Sequence, residues 1–148
     1  FESSSFDAIF SSHNIEHLYA HEVTKAFSEF FRVVNQGGFI VITCPDLQSV
    51  CQLIADDKLT DTAYTSPAGP ITPLDILYGH GRSIASGNVY MAHKCGFTAK
   101  VLTGSLAAAG FQTIAIKRRP NQFDLWAIAT KTKQENDYIA GLCQEHFP

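Results

Sequence analysis

Histidine and acidic side chains that could do chemistry are concentrated in residues 11–21, SSHNIEHLYAH. His13, Glu16, His17 and His21 are spaced i, i+3, i+4 and i+8, so a helix would place all four on one face. Imidazole and carboxylate groups at this spacing can hold zinc or a similar metal. Glu16 and His17 could instead act as general bases, since histidine titrates near neutral pH. A third interpretation, in which these residues only brace the start of a helix, assigns no metal to them.

The surrounding stretch, residues 6–46, predicts a strand, a helix and a second strand. FDAIF (6–10) is a short apolar run next to serines, which favours a buried strand. Between Glu22 and Val34 the apolar residues recur every three or four positions, as on one face of a helix. The pair Gly37-Gly38 is expected to end this helix with a left-handed cap. FIVITC (39–44) is continuously apolar, which is typical of a strand covered on both faces of a parallel sheet.

The loops after these two strands are where we expect a ligand. A helical crossover makes its flanking strands parallel, and ligands of such sheets bind beyond the carboxyl ends of the strands. The loops from Ser11 to His17 and from Cys44 to Leu47 lie at that edge. Asp46 is predicted to cap the following helix and, because it faces the same crevice, is also a candidate for substrate contact.

Length and composition indicate one domain of an ordinary globular protein. The chain has 148 residues, 45% of them apolar and 17% charged. A net charge of -3 gives no reason to expect binding to nucleic acid or to an anionic membrane. No apolar run is long enough for a membrane span, and no signal peptide is visible. The four cysteines lack CxxC spacing, which favours a reducing, cytoplasmic compartment.

The rest of the chain predicts a helix, an irregular segment, a helix, a hairpin and a last helix. The first of these helices begins at Asp46, and its inward positions are Leu47, Val50, Cys51 and Ile54. Residues 59–92 are rich in proline and glycine, which predicts a loop-rich insertion with one short helical turn in LDILYGH.

The later elements follow from caps and periodicity. Thr98 is expected to cap a helix that ends at Gly110, with an inward stripe made of Val101, Leu102, Leu106 and Ala109. Residues 111–117 and 123–131 predict two strands, and the short link between them makes the pair antiparallel. Residues 134–147 could form a terminal helix.

Three stretches followed by the hairpin resemble the C-terminal half of a class I S-adenosylmethionine-dependent methyltransferase: FDAIFSSHNIEHL, FSEFFRVVNQGGFIVITCPDL and HKCGFTAKVLTGSLAAAGF. In that family they would be the fourth strand with its loop, the helix and turn before the fifth strand, and the helix before strands six and seven. The resemblance implies an α/β, Rossmann-like sheet, mostly parallel, that ends in an antiparallel hairpin. It also implies methyl transfer from S-adenosylmethionine to a small or medium acceptor, with S-adenosylhomocysteine as product.

The resemblance also suggests roles for individual residues. The loop after the first strand would approach the methionyl and sulfonium part of the cofactor, so cofactor contact is expected for Ser11, Ser12 and His13. Glu16 and His17 remain the catalytic candidates. In the family the region of the insertion closes over the acceptor as a lid. Substrate contact is therefore expected for Tyr78, Tyr90 and His93, and also for Asp46.

The family's main cofactor-binding features have no counterpart in this chain, namely a glycine-rich loop after the first strand and an acidic residue that ends the second. Because the chain enters a strand at Phe6 and does not start with methionine, an N-terminal portion is expected to be missing. A non-catalytic domain that acts in assembly is therefore a second hypothesis, with a homodimer formed through an exposed apolar edge strand. A third, weaker hypothesis is a metal-dependent hydrolase that uses the face of His13, Glu16, His17 and His21.

Overall fold

The computed structural model describes residues 1–148 and forms a mixed sheet with helices on both of its faces. The strands are β1 (Phe6–Ser12), β2 (Val34–Pro45), β3 (Tyr64–Ser66), β4 (Gly69–Ile71), β5 (Thr113–Arg119) and β6 (Asp124–Thr130). The α-helices are α1 (Ala20–Val33), α2 (Leu47–Ala55), α3 (Pro73–Tyr78), α4 (Gly81–Ala85), α5 (Ala99–Ala108) and α6 (Asn136–His146). Short 3-10 helices occupy Ile15–His17, Val89–Met91 and Pro120–Gln122. None of the helices combines the length and the apolar composition needed to span a bilayer.

The main sheet has four strands in the order β1-β2-β6-β5. β1 and β2 are parallel, with Ile9 opposite Ile40 and Ser12 opposite Thr43, so the predicted crossover unit is confirmed. β6 pairs antiparallel with both β2 and β5, which confirms the terminal hairpin. β1 therefore lies at one edge of the sheet and has a strand partner on one side only.

The prediction that Gly37 and Gly38 cap α1 is wrong. The helix ends at Val33, and both glycines lie within β2, without a positive φ angle. At position 38 there is no room for a side chain, because a Cβ on Gly38 would lie 2.6 Å from the carbonyl oxygen of Asp7 and 2.7 Å from Cγ2 of Val34. Gly38 thus allows the start of β2 to approach β1 closely.

Two apolar layers cover the sheet. The larger one packs α1 and α5 against it and includes Phe27, Ile40, Leu102 and Leu106, all fully buried. The smaller one packs α6 on the opposite face through Leu142, against Val41 and Ile128. Each helix turns only a narrow stripe toward the sheet, as expected for an amphipathic helix.

Two predicted inward positions are wrong for that reason. Cys51 is exposed, because the covered stripe of α2 runs through its neighbour Val50. Val101 is exposed, because the i, i+4 pair Leu102 and Leu106 defines the inward side of α5. The caps of these helices are confirmed: Asp46 accepts from the backbone N–H of Gln48, and Thr98 from that of Val101.

The insertion at residues 59–92 is more ordered than predicted. It contains the β3-β4 hairpin, α3, α4 and one 3-10 turn, and the helical turn expected in LDILYGH is confirmed as part of α3. The segment packs on α2 through a small separate core formed by Val50, Ile71 and Ile76.

Candidate active site

A cavity of about 370 Å³ opens where β1 and β2 end. His13 follows β1, Pro45 ends β2, and both line the cavity together with Glu16 and His17. The opposite wall comes from the insertion and the segment after it, including Ile76, Asp75, His80 and His93. The volume lies in the range of small-molecule sites, and the position is the one where parallel sheets bind ligands.

The loop after β1 does not form one helix. His13 has a left-handed φ of 45°, residues 15–17 form a 3-10 turn, and the chain is extended again before α1. The single face predicted for His13, Glu16, His17 and His21 is therefore not formed. His21 lies on α1, exposed to solvent and stacked on Tyr19 with ring centroids 5.8 Å apart. The hydrolase hypothesis loses the ligand arrangement on which it depended.

Glu16 is a buried carboxylate at the cavity wall. Its exposed fraction is 1%, and neither side-chain oxygen accepts a hydrogen bond. Nδ1 of His13 lies 3.4 Å from Oε1, and this adjacent carboxylate raises the pKa of His13 although burial acts in the opposite direction. A buried carboxylate without hydrogen bonds is costly, so groups of this kind in a cavity often mark a functional site.

His17 and His93 face each other across the same corner, with ring centroids 4.8 Å apart. Nδ1 of His17 lies 3.1 Å from the carbonyl oxygen of Ala92, and Nδ1 of His93 lies 2.8 Å from that of Ile76. A carbonyl only accepts, so each Nδ1 donates and the neutral ring is left with an unprotonated Nε2. Burial lowers the pKa of His93, which favours the neutral form.

Backbone hydrogen bonds hold these two distant segments together. The N–H groups of Lys94 and Cys95 donate to the carbonyl oxygen of Glu16 at 2.8 and 3.2 Å. The N–H of His93 donates to the carbonyl of Tyr78 at 3.1 Å. The position of His93 in the cavity is thus fixed by main-chain contacts on both sides.

Four of the predicted site residues meet at the cavity: His13, Glu16, His17 and His93. The others lie elsewhere. Tyr78 and Tyr90 are 64% and 83% exposed and do not line it. Ser11 is buried within β1, and Ser12 exchanges a hydrogen bond of 2.8 Å with Thr43.

Asp46 is 0% exposed and lies outside the cavity wall. Its carboxylate accepts from Ser49 Oγ at 2.7 Å and from the Arg118 guanidinium, besides capping α2. The roles predicted for these residues in binding remain predictions.

Asp75, His80 and Phe123 are among the cavity residues that were not assigned to the site from the sequence. Asp75 accepts from Thr72 and from the N–H of Gly81; burial opposes ionisation, but these hydrogen bonds prevail and lower the pKa of Asp75. The capping-box sequence TPLD was the available signal for this residue. His80 hydrogen-bonds Ser83, and Phe123 sits in the hairpin turn with a left-handed φ of 57°. For Phe123 the sequence carries no signal.

Comparisons with known proteins agree with the resemblance found in the sequence. The family model described as "Methyltransferase domain" matches residues 1–42. A search of curated protein sequences gives no match. Among solved structures, an S-adenosylmethionine-dependent methyltransferase from Thermotoga maritima is similar, with 13% identity and a TM-score of 0.56 over 89% of this chain and 58% of that one.

Two further structures give the same result. A protein from Pyrococcus horikoshii has 13% identity and a TM-score of 0.56, covering 89% of this chain and 54% of its own. The 1,6-didemethyltoxoflavin-N1-methyltransferase of Burkholderia thailandensis, solved with 1,6-didemethyltoxoflavin and S-adenosylhomocysteine, has 14% identity and a TM-score of 0.53, covering 88% and 46%. The chain thus spans about half the length of the structures it matches. At these identities the likeness confirms the predicted fold, that of the class I methyltransferases.

Proposed function

We propose that the chain contributes the acceptor-binding side of an S-adenosylmethionine-dependent methyltransferase that acts on a small molecule. The observation that carries the proposal is the cavity at the ends of β1 and β2, which places a buried carboxylate and several imidazoles around a volume of about 370 Å³. In this reaction a lone pair of the acceptor attacks the methyl carbon while the carbon–sulfur bond breaks. Its electrons pass to sulfur, and S-adenosylhomocysteine leaves.

The residues at the cavity wall supply alignment and proton handling. A reactive sulfonium donor needs an in-line acceptor above all, so the walls contribute mainly by positioning. Glu16 and His17 are proposed to orient the acceptor and to take its proton where the acceptor is a hydroxyl or an amine. His93 would contact the acceptor from the opposite wall.

Cofactor contact is proposed for Ser11, Ser12 and His13, because the carboxyl end of β1 borders the cavity. The insertion at residues 59–92 is proposed to cover the bound acceptor, with Tyr78 and Tyr90 as contacts once it closes. Asp46 is proposed to affect substrate binding indirectly, by holding the start of α2, the helix that it caps.

Calorimetric titration of S-adenosylhomocysteine tests the proposal directly. The ligand is titrated into the 148-residue chain and into the product of the whole reading frame that encodes it. Binding of S-adenosylhomocysteine to the product of the whole reading frame, with one site per chain, is the expected result. If neither protein binds S-adenosylhomocysteine, the methyltransferase proposal fails.

The unpaired edge of the sheet favours a second proposal, a homodimer formed by pairing of β1 with its copy. Phe10 on this strand is 65% exposed and lies near Trp126, with ring centroids 6.4 Å apart. Apolar grooves flank the strand on both faces, one beside Phe6 and the other beside Phe10. An edge of this kind is a template for strand pairing.

Light scattering at micromolar concentration tests the dimer. Phe10→Glu should convert it to a monomer, while Tyr90→Glu, at an exposed position away from the edge, should not. A monomeric wild-type chain would contradict the proposal. We also propose a reducing, cytoplasmic location, which the four free cysteines support and which fractionation of the native host would test.

A further inference from the structure

We propose that Glu16, His17 and His93 form a binding site for one divalent transition-metal ion of the zinc class. Their ligand atoms, one from each side chain, all lie within 4.8 Å of one another. Two imidazole nitrogens and a carboxylate oxygen form a familiar set for catalytic zinc, with a fourth position left open. Harder ions such as Mg²⁺ and Ca²⁺ prefer all-oxygen sites and fit this set poorly.

The orientation of the two histidines is the first argument. Each donates its Nδ1 proton to a backbone carbonyl, His17 to Ala92 and His93 to Ile76. Metal-bound histidines almost always hold their other nitrogen in this way, which fixes the tautomer and the ring plane. In each ring Nε2 is therefore the nitrogen left free to bind a metal ion.

The state of Glu16 is the second argument, and it is independent of the first. The carboxylate is 99% buried, since only 1% of the residue is exposed, yet neither oxygen accepts a hydrogen bond. The charge near it is His13, whose Nδ1 is 3.4 Å from Oε1. His13 pairs with the carboxylate only at this longer distance, and a metal ion at the cluster would supply a direct bond to it.

The cluster resembles an occupied zinc site, but its ligand atoms lie farther apart. Ligand atoms around a tetrahedral zinc ion are separated by about 3.3 Å, given metal–ligand distances of roughly 2.0–2.1 Å. From separations of up to 4.8 Å the ligand atoms need to close by about 1.5 Å at most, a movement within reach of side-chain rotations. Backbone hydrogen bonds from Lys94 and Cys95 to Glu16 hold the two sides of the site next to each other.

The open position of such an ion would face the cavity. If the proposed methyl transfer is correct, on which this step rests, an acceptor hydroxyl bound there would lose its proton more readily, and the resulting oxyanion would attack the methyl carbon. Glu16 and His17 would then serve as ligands rather than as bases, and the acceptor's proton would pass to solvent water in the cavity. The metal site itself depends only on the cluster and is tested without any methyl donor.

The test uses protein purified without a histidine tag and stripped with EDTA. Cys51, the exposed thiol, is changed to serine throughout so that zinc at that thiol is not counted. Titration with ZnCl₂ should show one site per chain, and MgCl₂ should show none. His17→Ala and His93→Ala should each weaken zinc binding by more than about 100-fold, since even outer-shell changes cost roughly 10–100-fold.

Two further variants separate ligation from misfolding. Glu16→Gln keeps the shape of the side chain and removes its buried charge, so it should raise the melting temperature of the metal-free protein. ZnCl₂ should raise the melting temperature of the wild type but not that of Glu16→Gln. His21→Ala, on the exposed side of α1, should leave zinc binding unchanged. The proposal is overturned if the wild type does not bind zinc, or if Glu16→Gln and His93→Ala still bind it as the wild type does. Either result counts whatever the outcome with S-adenosylhomocysteine.

Discussion

Arg118 binds Asp46 through two hydrogen bonds to the same carboxylate oxygen, 2.9 Å from Nε and 2.7 Å from Nη2. Asp46 is fully buried at the junction of β2 and α2, whereas Arg118 reaches it from β5, two strands away in the sheet. The same carboxylate accepts from the backbone of Gln48 and from Ser49. One side chain therefore joins the terminal hairpin to the start of α2.

Removing Arg118 should be costly because it leaves the Asp46 carboxylate buried without its cation. Arg118→Ala is expected to lower the free energy of unfolding by about 2–3 kcal/mol, measured by urea denaturation. The control is Arg32→Ala, which breaks an exposed pair with Glu29 and should have a much smaller effect. Equal effects of the two substitutions would contradict the structural role of the buried pair.

Gly38 should tolerate no side chain. Gly38→Ala places a methyl group against the backbone of Asp7 and the side chain of Val34, so we expect a loss of about 2–3 kcal/mol in the free energy of unfolding. At Gly37 the nearest atom to an added Cβ is 3.9 Å away, and Gly37→Ala should stay within about 0.5 kcal/mol of wild type. Urea denaturation of both variants measures their free energies of unfolding, and similar values for the two would refute the packing argument.

The cysteines should differ sharply in reactivity. Cys44 is fully buried, and this burial raises the pKa of its thiol well above the usual range, whereas Cys51 is exposed on α2. Since the thiolate is the nucleophile, iodoacetamide at neutral pH should modify Cys51 first and leave Cys44 intact in the native protein. Peptide mass spectrometry identifies the sites, and denatured protein should be labelled at all four cysteines. Early labelling of Cys44 would mean that β2 is not covered as described.

Acid should weaken the start of α3. The pKa of Asp75 is lowered from its model-compound value of 3.8 in the folded protein, despite burial, by hydrogen bonds from Thr72 and Gly81. A lowered pKa contributes stability that is present above the unfolded-state value and is lost as the pH falls through the folded-state value. The stability difference between wild type and Asp75→Asn should be constant near neutral pH and shrink below about pH 4. Chemical denaturation across this range measures it, and a difference that does not change with pH would count against the assignment.

Much of the fold was predictable because its signals are local. The period of apolar residues located α1 and α5, the continuous run 39–44 located β2, and the short link after Arg119 defined the antiparallel hairpin. Caps were equally informative, since Asp46 and Thr98 act where expected. Gly37-Gly38 failed as a cap because pairing of Val34 with Phe6 draws the chain into the sheet directly after the helix.

The candidate site was predictable only in part. His13, Glu16 and His17 follow β1 directly, so the rule for parallel sheets was enough to place them. His93 lies beside Glu16 because the N–H groups of Lys94 and Cys95 donate to the carbonyl oxygen of Glu16, and no local pattern reports such a contact between segments far apart in the sequence. The hairpin β3-β4 was missed because each strand has only three residues, too few for a period to show.

The two walls of the cavity differ in how firmly they are anchored. His13 directly follows β1 and Pro45 ends β2, so this wall is held by the sheet, whose larger core contains 14 buried residues, whereas the insertion is held by a core of three. Local unfolding requires less free energy where fewer apolar side chains are buried. Amide hydrogens of β3, β4 and α3 should therefore exchange with solvent through a partial opening, while those of β2 exchange only on global unfolding. If the insertion is the lid proposed above, we expect a small molecule to enter and leave by this partial opening, at a rate that does not depend on the stability of the sheet.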